Sequence, residues 1–169
     1  MMLLMAAMVF FSLPQVAQKN EAGTVVGVIP SFQQRSNSSQ PDPVTIAILP
    51  LKYSEMWKRA TQQRIDSYWE MYKPQFAVNK ELFLEFNRTA ERDSLKEVMA
   101  AMRREMGGHA ADFIKQVSAE SKFEFKNLAF GTYRLVAIAT SDFSNQVWTT
   151  SAEVRDNVPI FITFSKPAT

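Results

Sequence analysis

Apolar residues recur along this chain with two different periods, and the change between them divides it. Gly23 to Ile29 (GTVVGVI) is β-branched, and Val44 to Leu49 (VTIAIL) sets Val44, Ile46 and Ile48 on one face. Both read as strands, with Pro50 ending the second. From Ser54 to Tyr72 the repeat lengthens to that of a helix, with Trp57, Thr61, Ile65, Tyr68, Trp69 and Tyr72 on one face. Ser54 reads as its N-cap and Pro74 as its kink or end. A second helix is expected from about Asn79 to Met106, apolar first at Leu82, Phe83, Phe86 and Ala90, then at Leu95, Val98, Met99, Met102 and Met106. Gly107-Gly108 stops it, and a short helix is expected from His109 to about Ala119, using Ala110, Phe113, Ile114 and Val117.

Period two then returns. Lys122 to Ala139 (KFEFKNLAFGTYRLVAIA) alternates at Phe123/Phe125 and again at Tyr133/Leu135/Ala137, and the break from Asn127 to Gly131 reads as the turn of a β-hairpin. Gln146–Val154 and Val158–Ser165 read as two further strands, joined antiparallel through the compact loop Arg155–Asn157. Two strands thus precede the helices and four follow. A pair of strands cannot bury its own faces, so the early pair must join the later ones across the helices. The fold class is α+β: one β-sandwich domain over 18–169, its six to seven strands within 23–50 and 122–165, and an α-helical insertion at 52–121 whose aromatic face packs on one sheet. The polar stretch Pro30–Pro43 is a loop.

The apolar run from Met1 to Leu13 is too short to span a bilayer but fits the hydrophobic part of a signal peptide, with Pro14 ending it and Ala17 offering a cleavage residue. Residues 1–17 are therefore expected to direct export, giving a secreted or periplasmic protein with no stable membrane span after cleavage. The chain has no Cys, which excludes disulfides, thiolate metal sites and a lipid-bearing thiol. A formal charge of +2 spread along 169 residues does not predict nucleic-acid binding.

The order GTVVG, PVTIAIL, FEFKNLAFGTYRLVA and VPIFITF resembles carboxypeptidase regulatory-like domains, which are related to collagen-adhesin B-type repeats. Its most specific part is Phe123-x-Phe125-x-Asn127-Leu128-x-x-Gly131-x-Tyr133-x-Leu135-x-Ala137. The resemblance implies a transthyretin-like antiparallel β-sandwich, here with the helices inserted between strands 2 and 3. It also implies a non-enzymatic spacer, recognition or stabilising module with a protein or cell-envelope partner, and it supplies no catalytic residues and no cofactor. Related repeats can join a Lys to an Asn covalently, for which Lys52 and Asn157 would be the donors.

Catalytic motifs are sparse. His109 is the only histidine, and no nucleophile elbow, phosphate loop or zinc-helix pattern occurs. Glu81, Glu85, Glu91, Asp93 and Glu97 are interleaved with Arg88, Arg92 and Lys96, as on a solvated helix face with Glu85–Arg88, Arg88–Glu91 and Asp93–Lys96 as the favourable pairs. The methionines at 99, 102 and 106 have the spacing of a core stripe. The candidate ligand or partner contacts are aromatic: Trp57, Trp69 and Tyr72 on the first helix, and Trp148, which faces outward if Val147 faces in. Two further readings follow, a carbohydrate-binding module built on exposed tryptophans and a hydrolase with an unfamiliar site.

Overall fold

The computed structural model describes residues 22–30, 43–140 and 145–164; the expected signal peptide and most of the 30–43 loop lie outside them. In chain order the elements are β1 (Ala22–Val28), β2 (Val44–Pro50), α1 (Leu51–Val78), α2 (Lys80–Met106), a 3-10 helix (Gly107–Asp112), β3 (Ile114–Val117), β4 (Lys122–Ala129), β5 (Gly131–Thr140), β6 (Asn145–Val154) and β7 (Ile160–Thr163). The strands form two stacked sheets, one ordered β4-β1-β7 and the other β3-β2-β5-β6. Both early strands pair with later ones: β1 with β4 and β7, β2 with β3 and β5. All ladders are antiparallel except β1–β7, which is parallel.

The stretch expected to be a hairpin is instead an arch. β4 pairs with β1 in one sheet and β5 with β2 and β6 in the other, so the chain crosses the sandwich between them. Alternation gives the inward face of each strand but does not say that the two pair with each other. Phe123, Phe125 and Leu128 point inward from β4, and Tyr133, Leu135, Ala137 and Ala139 meet them from β5. Asn127, at φ 56°, supports the bulge that shifts the inward phase from Phe125 to Leu128. The Tyr133 hydroxyl donates to the Ala129 carbonyl at 2.7 Å and closes the corner, and burial pushes its phenol pKa up. Tyr133→Phe is expected to cost about 1–2 kcal/mol in denaturant unfolding, since it leaves that carbonyl without its donor.

The loop after β6 crosses in the same way, because β7 lies in the sheet opposite β6. Two other expectations are corrected, and of the two readings of Pro74 the helix end is excluded. Ile114–Val117 is a strand on the free edge of β2, not part of a helix; Ile114 packs toward the helices and Val117 toward the sandwich interior, as alternation requires. α1 begins at Leu51, which puts Ser54 inside it, where its hydroxyl accepts from Arg134 Nε at 3.2 Å. Pro74 stays within α1 on an exposed side, where water can serve the carbonyl it leaves unbonded.

Two apolar clusters hold the fold. The first fills the sandwich, with Val25, Val44, Ile46, Ile48, Phe125, Leu135 and Trp148 among its members. The second lies on the other face of the four-stranded sheet, where Ala47, Leu49, Val136, Ile138 and Val147 receive the helices. β2 and β5 are thus buried on both faces, which is why VTIAIL and LVAIA are nearly unbroken apolar runs.

Candidate functional site

α1 and α2 form an antiparallel hairpin that turns at one residue, Asn79, whose side-chain oxygen accepts from Leu82 N at 3.1 Å and caps α2. Its base is docked. Tyr53 and Trp57 from α1, with Leu95, Val98, Met99 and Met102 from α2, form the second apolar cluster against the sheet. Trp57 Nε1 donates to the Glu91 carbonyl at 3.1 Å, and the Arg134 guanidinium sits 5.9 Å from the Trp57 ring. Arg92 donates to Asn145 Oδ1 at 3.0 Å, fastening α2 to the start of β6. Lys52 and Tyr53 both reach Glu105, the tyrosine at 2.9 Å, and the two donors hold the Glu105 carboxyl below its ordinary range.

Above the base the hairpin carries a polar layer. Arg64 pairs with Glu97 at 2.9 Å beside a groove of about 280 Å³ lined by Ala60, Gln63, Arg64, Ser67 and Glu97. Thr61 Oγ1, Arg64 Nε and Ser94 Oγ are buried without hydrogen-bond partners. Burial also pushes the Glu91 carboxyl above its ordinary value, and nearby Arg88 offsets only part of this. A raised folded-state pKa means the ionised group opposes folding above that pKa, while below the unfolded value of 4.5 both states are protonated. Glu91→Gln is therefore expected to raise Tm at pH 7, with the difference vanishing as the pH falls below about 4.5; paired melts across pH check it.

The distal half has an aromatic core of its own. Phe76, 4% exposed, is ringed by Trp69, Tyr72, Phe83 and Phe86 with centroids 5.2–6.1 Å away, and Tyr68 meets Phe86 edge-on at 5.0 Å. From Asp66 to Lys80 every residue is exposed except Tyr68 and Phe76. At 1.5 Å per residue, α1 continues for about 25 Å past Thr61. The outer surface of the distal hairpin shows Trp69 at 39%, Tyr72 at 36%, Met71 at 57% and Val78 at 87% from α1, and Leu84 at 38% from α2.

The expected contact residues therefore separate. Trp69 and Tyr72 stand at the surface of the distal hairpin. Trp57 lies under the hairpin base, and Trp148 lies inside the sandwich at 2% exposure, so neither is at the surface. The choice between Val147 and Trp148 dissolves because both faces of β6 are covered there, one by α2 and one by the opposite sheet. The aromatic stripe is likewise split, its base against a sheet and its distal part against Phe83 and Phe86. Met71, Leu84 and Val78 were not singled out by periodicity, since they fall off the expected apolar face; three large apolar residues on a polar face were the available signal.

His109 is exposed, with Nδ1 3.7 Å from Asp112 Oδ2. Met99 and Met102 are core, and Glu85–Arg88 and Asp93–Lys96 pair along the α2 surface at 3.7 and 3.6 Å. Lys52 and Asn157 are both exposed, outside either core. Among the described residues no helix is long and apolar enough to cross a membrane.

No protein-family model matches the chain, and no curated protein matches it. Among solved structures it is similar to the pilus backbone of Streptococcus pneumoniae, at 13% identity and a TM-score of 0.18, over 84% of this chain and 40% of that one. A likeness of that size defines neither a fold nor a function.

Proposed function

We propose that this chain is a non-enzymatic exported module of the carboxypeptidase regulatory-like kind. In this reading a transthyretin-like sandwich carries the α1–α2 hairpin between its second and third strands and uses it to engage a protein or cell-envelope partner. The observation that carries the reading is the distal hairpin: it has its own aromatic core, yet leaves Trp69, Tyr72, Met71, Leu84 and Val78 at the surface. An apolar surface held on a rigid projection is a feature of recognition elements. Export rests on the N-terminal pattern, and the family reading on the Phe123–Ala137 motif, whose residues build the arch.

Tryptophan emission offers a direct test, because Trp69 alone of the three tryptophans is well exposed. Envelope protein fractions that bind the chain are expected to shift its emission to the blue, and Trp69→Phe to abolish the shift. Binding that survives both Tyr72→Ser and Met71→Ser would place the partner elsewhere.

The carbohydrate reading retains Trp69 and Tyr72 but loses the stacking surfaces of Trp57 and Trp148 to burial. Absence of any emission change with a panel of polysaccharides would remove it.

A further inference from the structure

The two faces of the sandwich are treated differently. The outer face of β3-β2-β5-β6 is covered by α1, α2 and the 3-10 helix, whereas the outer face of β4-β1-β7 presents large apolar side chains to solvent. Phe161 is 83% exposed and Val28 47%. Beside them is a groove of about 550 Å³ lined by Val26, Val28, Phe123, Pro159 and Phe161, with Lys122 and Glu124 at its rim. A cavity of about 150 Å³ suffices for one benzene ring. A knob and a hole therefore share one face, which is what an isologous contact requires.

Strand register sharpens the match. Glu124, Val26 and Phe161 lie abreast in one row, and Lys122, Val28 and Thr163 in the next outward-facing row. Consider a two-fold axis crossing the three strands at the level of Gly27, midway between these rows. It sets Lys122 of one copy against Glu124 of the other, Val26 against Val28, and Phe161 over Thr163 and the groove. Each charge meets its opposite and each valine meets a valine. Glu124 also lies 3.0 Å from Lys126 within its own chain, in an exposed pair that leaves it accessible.

We propose that this face docks a second copy of the chain, making the protein a two-fold dimer with Phe161 as its anchor. The hairpins then sit on the far side of each sandwich, free for other contacts.

Sedimentation equilibrium of the purified chain tests this. The wild type is expected to dimerise. Phe161→Asp should raise the dimer dissociation constant at least ~30-fold, as for a central aromatic anchor, while leaving the far-UV dichroism of the folded chain unchanged, because the side chain is exposed. Lys122→Glu sets two carboxylates face to face and should also weaken the dimer, and adding Glu124→Lys should restore it. This charge swap keeps the test decisive if Phe161→Asp folds poorly. A wild type that stays monomeric at its highest soluble concentration overturns the proposal, whatever else covers the groove. So does a dimer that persists in Phe161→Asp, or a double swap no tighter than Lys122→Glu alone.

Discussion

Trp148→Ala is expected to lower stability by about 3–5 kcal/mol, the range for deleting a large buried aromatic side chain. For a chain of this size that is a fall in Tm of roughly 10 °C. The residue is 2% exposed and packs in the sandwich interior with Phe125, Leu135 and Ala152. It stands opposite Ala137 in the β5–β6 ladder, so the small partner makes room for the large ring. Loss of that ring leaves a cavity between two rigid sheets, which cannot close over it. A surface contact residue would behave otherwise: its removal would leave stability within about 0.5 kcal/mol of wild type and act on binding alone. Thermal melts of Trp148→Ala and Trp148→Phe, followed by far-UV dichroism, separate the two roles.

Most of the elements were legible in the pattern. The two helices, the early strands and their union with the later ones follow from period and from the need of each apolar face for a partner. What the pattern could not carry was which strands pair. Phe123, Phe125, Tyr133 and Leu135 alternate identically whether their strands are hairpin neighbours or opposite walls of a sandwich; only β1 and β2, distant in sequence, decide it. Ile114 and Val117 misled for a related reason. Their spacing suits one side of a helix, but the open edge of β2 offered them hydrogen bonds and two apolar faces. Trp148 was misplaced because a half-exposed strand was assumed. The runs VTIAIL and LVAIA already carried apolar residues at both parities, and a sheet built from them needs cover on both sides. For the candidate site, Trp69 and Tyr72 were visible as part of a stripe. Where along α1 the sheet ends and the stripe begins to face only α2 depends on tertiary geometry that no local spacing encodes.

That division within α1 makes a strong prediction for Trp57→Ala. The substitution removes a ring 5% exposed, its indole donation across the hairpin to the Glu91 carbonyl of α2 and its contact with Arg134 of β5. The expected loss is again about 3–5 kcal/mol, but it should fall unevenly. Trp57 belongs to the cluster between helices and sheet, whereas the sandwich interior is built from Val25, Ile46, Phe125 and Leu135 without it. The distal hairpin is braced by ring contacts among Phe76, Phe83 and Phe86, whereas Trp57 belongs to the helix–sheet cluster. Native-state hydrogen exchange should therefore show protection collapsing first across Tyr53–Thr61 and Ala90–Met102, while β1, β4 and the inward-facing ladder of β5 keep theirs. If protection instead falls together throughout, hairpin and sandwich form a single cooperative unit. The hairpin could then not yield to a partner without unfolding the sheet, and its role in recognition would be that of a fixed surface.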